Sequence, residues 1–255
     1  MPTTLPMAQH LEGIALATAR LDAYAQSTGL EATVPTCRGW TVSRLIAHLG
    51  MVHRWATAIV RELPRQDTER LEEEGLETAD PLTWLGHGSD VLRASLRRAP
   101  ADLDVFFFLN DAPAPREAWA RRQCHETTVH AVDALSAQLG RVPTSVEADI
   151  PPEVAADGVD ELLSGFATRP GEGLTSTQRV EVDVRAVDTG DVWRAVVSDG
   201  PLQVVRTGRP QEADSVVTGT AAQLYLGLWN RGEEMRCEGR DVVSFWRDRM
   251  QVTWG

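Results

Sequence analysis

Residues 121–134 read RRQCHETTVHAVDA, and several of them have side chains that can act on a cation or a proton. Glu126 and His130 stand four apart, so on a helix their Cβ atoms lie roughly 5–6 Å from each other on one face. Gln123, Asp133 and Ala137 continue that face at steps of three and four. A lone carboxylate on an inward stripe costs several kcal/mol in lost hydration, so it should be paired or bound to a metal. His48 is a candidate partner, because it interrupts an otherwise apolar stripe between Leu45 and Val52. His48, Glu126 and His130 then make a His₂Glu set. Three protein donors leave one coordination position free, which is the catalytic rather than the structural zinc pattern. Asp133, one turn past His130, can hold that imidazole's other nitrogen or act on a bound substrate.

A plainer reading stands beside this one. A Glu–His pair at i, i+4 is commonly a surface pair, and a histidine in an apolar stripe is commonly a satisfied core residue. HETTVH is not the zincin HExxH either. His125 and His130 are five apart, roughly 140° around a helix, and cannot chelate together. His10, His53, His87 and His125 are read as surface or packing residues. No GxSxG elbow is found, and GEGLTS is not followed by GK[ST], which leaves no serine-hydrolase or P-loop signature. The three cysteines, Cys37, Cys124 and Cys237, form no CxxC and imply no disulfide framework. Each is read as a buried structural thiol, with a reactive role for Cys124 as the lesser alternative.

The elements that must position these residues follow from periodicity. Met7, Leu11, Ile14, Thr18, Leu21 and Ala25 mark one amphipathic helix. A second begins after CRGW with Thr41 as N-cap, carries Leu45, His48, Val52, Trp55 and Ile59, and stops before Pro64. The acidic run QDTERLEEEGLET reads as a solvated connection. A third helix fits residues 81–98. DVFFFLNDAPAP is an apolar patch and then a proline-punctuated loop, and a fourth helix runs from near Arg116 to Leu139, ending at Gly140. Four such helices suggest an antiparallel bundle. After GRVPTS the grammar changes. One helix from Pro152 to Ala167 precedes strand-like alternations in QRVEVDVRAV, DVWRAVVSD, LQVVRTG and DSVVTGT, and AAQLYLGLWNRG and DVVSFWRDRM read as closing helices. The expected architecture is a four-helix bundle over residues 1–142 and a smaller α+β domain with an antiparallel sheet over 143–255.

The net charge of −12 leaves no broad cationic footprint for nucleic acid and would be repelled by anionic lipid. Every basic residue is arginine, which removes Schiff-base lysines from consideration. No secretory signal and no membrane-length apolar run is visible, and the cysteine usage suits a reducing cytoplasm.

Three stretches resemble one known family. GWTVSRLIAHLGMVHRWA, ARRQCHETTVHAVDA and TGTAAQLYLGLWNRG are similar to motifs of the mycothiol-dependent maleylpyruvate isomerase family, a branch of the DinB-like metal-binding bundles. The resemblance implies zinc held by His48, Glu126 and His130, a functional aspartate at Asp133, and a C-terminal arginine best matched by Arg231. Where the family often has an acidic residue after the WTV turn, this chain has Ser43 and Arg44. The resemblance also implies mycothiol as the thiol cosubstrate. Zinc with an open position favours thiolate, which can add to an activated double bond and leave after rotation, or stay attached in an S-transfer. Asp133 would orient His130 or move a proton. Arg231 would hold a substrate carboxylate, with helix capping as its equal alternative. The two parts are expected to form one active unit. A non-catalytic metal-dependent small-molecule binder and a zinc-dependent hydrolase are the competing classes.

Overall fold

A computed structural model describes residues 5–109, 112–169 and 174–250. Asn110 and Asp111 of the proline-punctuated loop, and residues 171–173 of GEGLTS, lie outside them. The chain forms two compact units.

The helical unit spans Leu5–Phe107 and Pro113–Pro143. Its helices are α1 Met7–Thr28, α2 Val42–Val60, α3 Thr68–Glu77, α4 Pro81–Arg98 and α5 Pro115–Leu139. Helix α1 packs on α4 and α5, and α2 packs on α3, α4 and α5. Leu21, Leu45, Ile46, Leu49 and Leu85 meet Ala131 and Ala134 in the core. Thr41 caps α2 as the sequence suggests, its hydroxyl accepting from the Arg44 amide at 3.3 Å. Asp80 caps α4 in the same way, accepting from Thr83 N at 3.1 Å, with Pro81 in the first turn. Gly140 ends α5 in the left-handed region at φ 67°.

Two details differ from the expectation. The acidic run is not an irregular connection, because α3 lies within it, capped by Asp67 accepting from Arg70 N at 3.1 Å. It is solvated as its charges require, and its one buried residue is Gly75. A Cβ at Gly75 would stand 2.8 Å from the Trp84 ring and 2.9 Å from the Ala47 Cα, so a glycine lets α3 close onto α2. Helix α5 is also more than amphipathic, since every residue from Ala118 to Ala137 is buried. Its polar residues therefore all require internal partners.

The second unit comprises Thr144 onward with Phe108 and Leu109. The short α6 (Ser145–Ala148) precedes α7 (Pro152–Asp160), which continues as a π-helical turn over Glu161–Phe166. Strands β1 Val180–Ala186, β2 Val192–Val197, β3 Gln203–Arg206, β4 Ser215–Gly219 and β5 Arg236–Gly239 form one sheet in the order β3-β2-β1-β4-β5. Helix α8 (Ala221–Leu228) and α9 (Val242–Arg249) close the chain. The sheet is mixed, not antiparallel. Three pairings are antiparallel, but β4 returns to the free edge of β1 and pairs parallel to it, Val184 opposite Val217. The chain crosses from β3 to β4 through residues 207–214, so direction reverses relative to a simple meander. The Trp193 indole donates to Asp160 Oδ1 at 2.9 Å, tying β2 to α7. Among the described residues, no helix is long and apolar enough to cross a membrane.

Candidate metal centre

Helices α2 and α5 bring His48, Glu126 and His130 together in the helical unit. His48 Nε2 lies 3.6 Å from Glu126 Oε1, and His130 Nε2 lies 3.2 Å from the same oxygen. One donor atom from each residue falls within 4.8 Å of the others, and all three residues are buried. The imidazole centroids of His48 and His130 are 5.2 Å apart with their planes crossed at 79°. For a tetrahedral ion with bonds of about 2.0–2.1 Å, neighbouring donors stand about 3.4 Å apart. The 3.2 and 3.6 Å separations bracket that figure, so the donor set fits a divalent metal.

Asp133 lies behind the set rather than in it. Its Oδ2 accepts from His130 Nδ1 at 2.9 Å, which turns Nε2 towards Glu126. A carboxylate that only accepts fixes the Nδ1–H tautomer, the carboxylate–histidine arrangement that orients metal ligands. Asp133 is itself fully buried and held from the other side. Thr36 Oγ1 donates to its Oδ1 at 2.6 Å and Cys37 Sγ donates to its Oδ2 at 3.2 Å.

Thr36 and Cys37 come from the loop before α2. Cys37 N bonds Val34 O and Trp40 N bonds Cys37 O, both at 3.0 Å, with Gly39 at φ 79° completing the turn. The turn lays Trp40 over the centre, its ring 5.0 Å from His48 and nearly parallel to His130 at 6.2 Å. Cys37 is therefore a half-buried thiol beside the site rather than a core thiol. Cys124 is buried against α1, where a Cβ on Gly13 would stand 2.5 Å from its sulfur.

The electrostatics follow from burial and pairing. Burial opposes ionisation of Glu126, yet the hydrogen bond from His130, the His48 imidazole facing it and the Arg122 charge hold its carboxyl well below the usual range. Arg122 Nη2 reaches Glu126 Oε2 at 3.0 Å. Burial also opposes protonation of His130, but its bonds to Asp133 and Glu126 outweigh this and raise it to about 9. Without a metal the centre is thus an internal chain of alternating charge. His53, one turn and a half beyond His48, is fully buried, and desolvation pushes it down to about 3. His10 and His125 are buried as well, while His87 is exposed.

The three residues singled out by spacing thus lie side by side, whereas their surroundings carry weaker signals. Arg122 stands four before Glu126, and the spacing rule that selects His130 selects it equally. Thr36, Cys37 and Trp40 carry no periodic signal. Arg231 lies in the second unit, just past α8. Its Nη1 donates to Trp229 O at 2.9 Å, so part of its guanidinium caps that helix end.

The N-terminal domain model of mycothiol maleylpyruvate isomerase matches residues 12–135, and the C-terminal domain model of the same enzyme matches residues 153–239. No curated protein sequence shows significant similarity to the chain. A crystal structure of the mycothiol-dependent maleylpyruvate isomerase superposes with a TM-score of 0.64 at 17% identity, covering 93% of this chain and 95% of that one. A histidine-to-alanine mutant of that enzyme gives 0.63 at 17% identity, covering 91% and 93%. At that identity the superpositions speak to fold, and the two domain models in tandem speak to kinship. With both domains matched in order, this chain belongs to the mycothiol-dependent maleylpyruvate isomerase family.

Proposed function

We propose that this protein is a zinc-dependent enzyme that uses a low-molecular-weight thiol, mycothiol, to isomerise a small unsaturated electrophile. The observation that carries the reading is the buried His48–Glu126–His130 set with Asp133 behind His130. A zinc ion held by those three residues would supply the positive charge that favours the deprotonated form of a thiol near neutral pH.

The chain's own residues have separate tasks. Asp133 keeps the His130 ring turned so that Nε2 faces the donor set, and Thr36 and Cys37 keep Asp133 in place. Arg122 holds Glu126 ionised. Trp40 covers two of the imidazoles and limits water. Arg231 is assigned to a carboxylate of the electrophile, for which a guanidinium has the matching fork of donors. In the reaction the thiolate sulfur bonds one carbon of the activated double bond. The former double bond then rotates as a single bond, and the carbon–sulfur bond breaks to return the thiolate and the isomerised alkene. If the sulfur stays attached and a proton is taken up instead, the outcome is S-transfer. The test is incubation of zinc-loaded protein with mycothiol and maleylpyruvate, followed by absorbance and mass spectrometry, with a panel of other electrophiles alongside. Isomerised product or a mycothiol adduct is expected. Absence of both across the panel would reject the reading.

A further inference from the structure

On the α5 site face Gln123 is the polar residue that takes no part in the donor set or its support. It stands one turn before Glu126 on the same face and is fully buried. Neither its amide nitrogen nor its amide oxygen has a hydrogen-bond partner among the described residues. A buried primary amide with both ends unmatched is costly, because each end forfeits its hydration.

Helical spacing places the amide between two layers of the α2–α5 packing. Helices α2 and α5 meet in layers: His48 against Glu126, and, two turns on along α2 and two turns back along α5, Trp55 against Trp119, ring centroids 5.1 Å apart. Gln123 lies between those layers, and Val52, fully buried and apolar, holds the corresponding place on α2. The neighbouring polar groups are committed. Arg122 Nη2 donates to Glu126. The Thr127 hydroxyl donates to the Gln123 backbone carbonyl at 2.7 Å and accepts from His53 Nε2 at 3.0 Å. Thr128 donates to Cys124 O at 2.8 Å.

We infer that Gln123 is a specificity-determining residue whose amide hydrogen-bonds an uncharged oxygen, a carbonyl or hydroxyl, of a molecule bound at the adjacent metal centre. A neutral amide offers two donors and one acceptor and suits such a group, and the neighbouring charges of Arg122 and Glu126 are paired with each other. The inference rests on the proposed thiol-dependent reading for where the ligand sits. The oxygen can belong to the thiol cosubstrate or to the electrophile, and the two are separated by measuring each.

The experiment compares wild-type and Gln123→Met, which is close in volume and lacks the amide. Metal content and circular dichroism are checked first. Mycothiol affinity is then measured by calorimetry without electrophile, and KM for maleylpyruvate by turnover. The expected result is full metal content with a 10-fold or larger loss in one of the two: in thiol affinity if the thiol carries the oxygen, in KM if the electrophile does. The ligand-free Met variant should also melt at the same temperature or about 2–4 °C higher, since an unmatched amide has been removed. If the Met variant does not fold, Gln123→Asn, which draws the amide back by one methylene, should still weaken one of the two by 3-fold or more. Unchanged thiol affinity and unchanged KM in a folded variant would overturn the assignment. If wild-type protein binds mycothiol but turns over no electrophile, the isomerase reading fails while the calorimetric arm still decides the role of Gln123.

Discussion

Removing the Asp133 carboxylate separates orientation of a metal ligand from ligation itself. Asp133→Ala deletes the acceptor for three donors at once: His130 Nδ1 at 2.9 Å, Thr36 Oγ1 at 2.6 Å and Cys37 Sγ at 3.2 Å. The first should control metal affinity. Loss of an outer partner of this kind costs about 10–100-fold, or about 1.4–2.8 kcal/mol. The other two affect stability, since a buried donor left unmatched costs about 1–3 kcal/mol, and Ser136 lies 2.9 Å from Thr36 to offset part of that. Asp133→Ala should therefore still bind one equivalent of zinc at saturating metal. Its affinity in chelator competition should fall by about 10–100-fold, with turnover falling at least as far. Asp133→Asn keeps an acceptor oxygen for His130 Nδ1 and should lose less affinity than Asp133→Ala. Unchanged zinc affinity together with full turnover in the alanine variant would refute the argument that Asp133 acts through His130.

Other consequences can be checked separately. His130 is raised to about 9 in the metal-free protein, but its ring nitrogen must be deprotonated to bind a metal. Zinc binding at pH 7–8 should thus release about one proton, read by calorimetry in buffers of different ionisation enthalpy; no buffer dependence would contradict it. The same raised value bears on stability. Its contribution to the metal-free fold is complete below the ordinary histidine value of 6.5 and is lost as pH rises through about 9. Glu126 has the opposite sign, its contribution being present above 4.5 and lost as pH falls below that. Metal-free protein should therefore melt highest near pH 5–6.5 so far as this pair decides, and a flat melting profile between pH 6 and 9 would count against the raised His130. Arg231→Ala should raise KM for a carboxylate substrate by about 10-fold or more with zinc content unchanged, because a lost charge-assisted contact is worth about 1.5–3 kcal/mol. If only a small drop in melting temperature is seen, Arg231 is a helix cap.

The face of α5 was legible because the 3.6-residue repeat places Gln123, Glu126, His130 and Asp133 together wherever that helix packs. His48 was legible because a polar residue between Leu45 and Val52 breaks an apolar stripe. Other parts were illegible for definite reasons. Thr36 and Cys37 reach Asp133 across 97 and 96 residues of sequence from a non-periodic turn, so no local spacing announces them. The parallel β1–β4 pairing escaped because alternation reports which face a residue occupies and not the direction of the neighbouring strand. Strand β5, RCEG, is four residues long with no alternation of its own, and it forms because β4 offers an edge. Helix α3 escaped because dense acidic residues suggest solvation, which is correct, and say little about backbone, which Asp67 and Gly75 decide. For His53 the sequence leaves surface and packing roles open; it is fully buried, and its Nε2 also holds Thr127 beside the centre.

Metal content of the purified protein tests the central claim most directly. Inductively coupled plasma mass spectrometry on wild-type, His48→Ala, Glu126→Ala and His130→Ala protein, each dialysed against zinc and then against metal-free buffer, should give one zinc per chain in wild-type and far less than one in each variant. A full equivalent of zinc retained by both His48→Ala and His130→Ala would place the metal elsewhere and contradict the account.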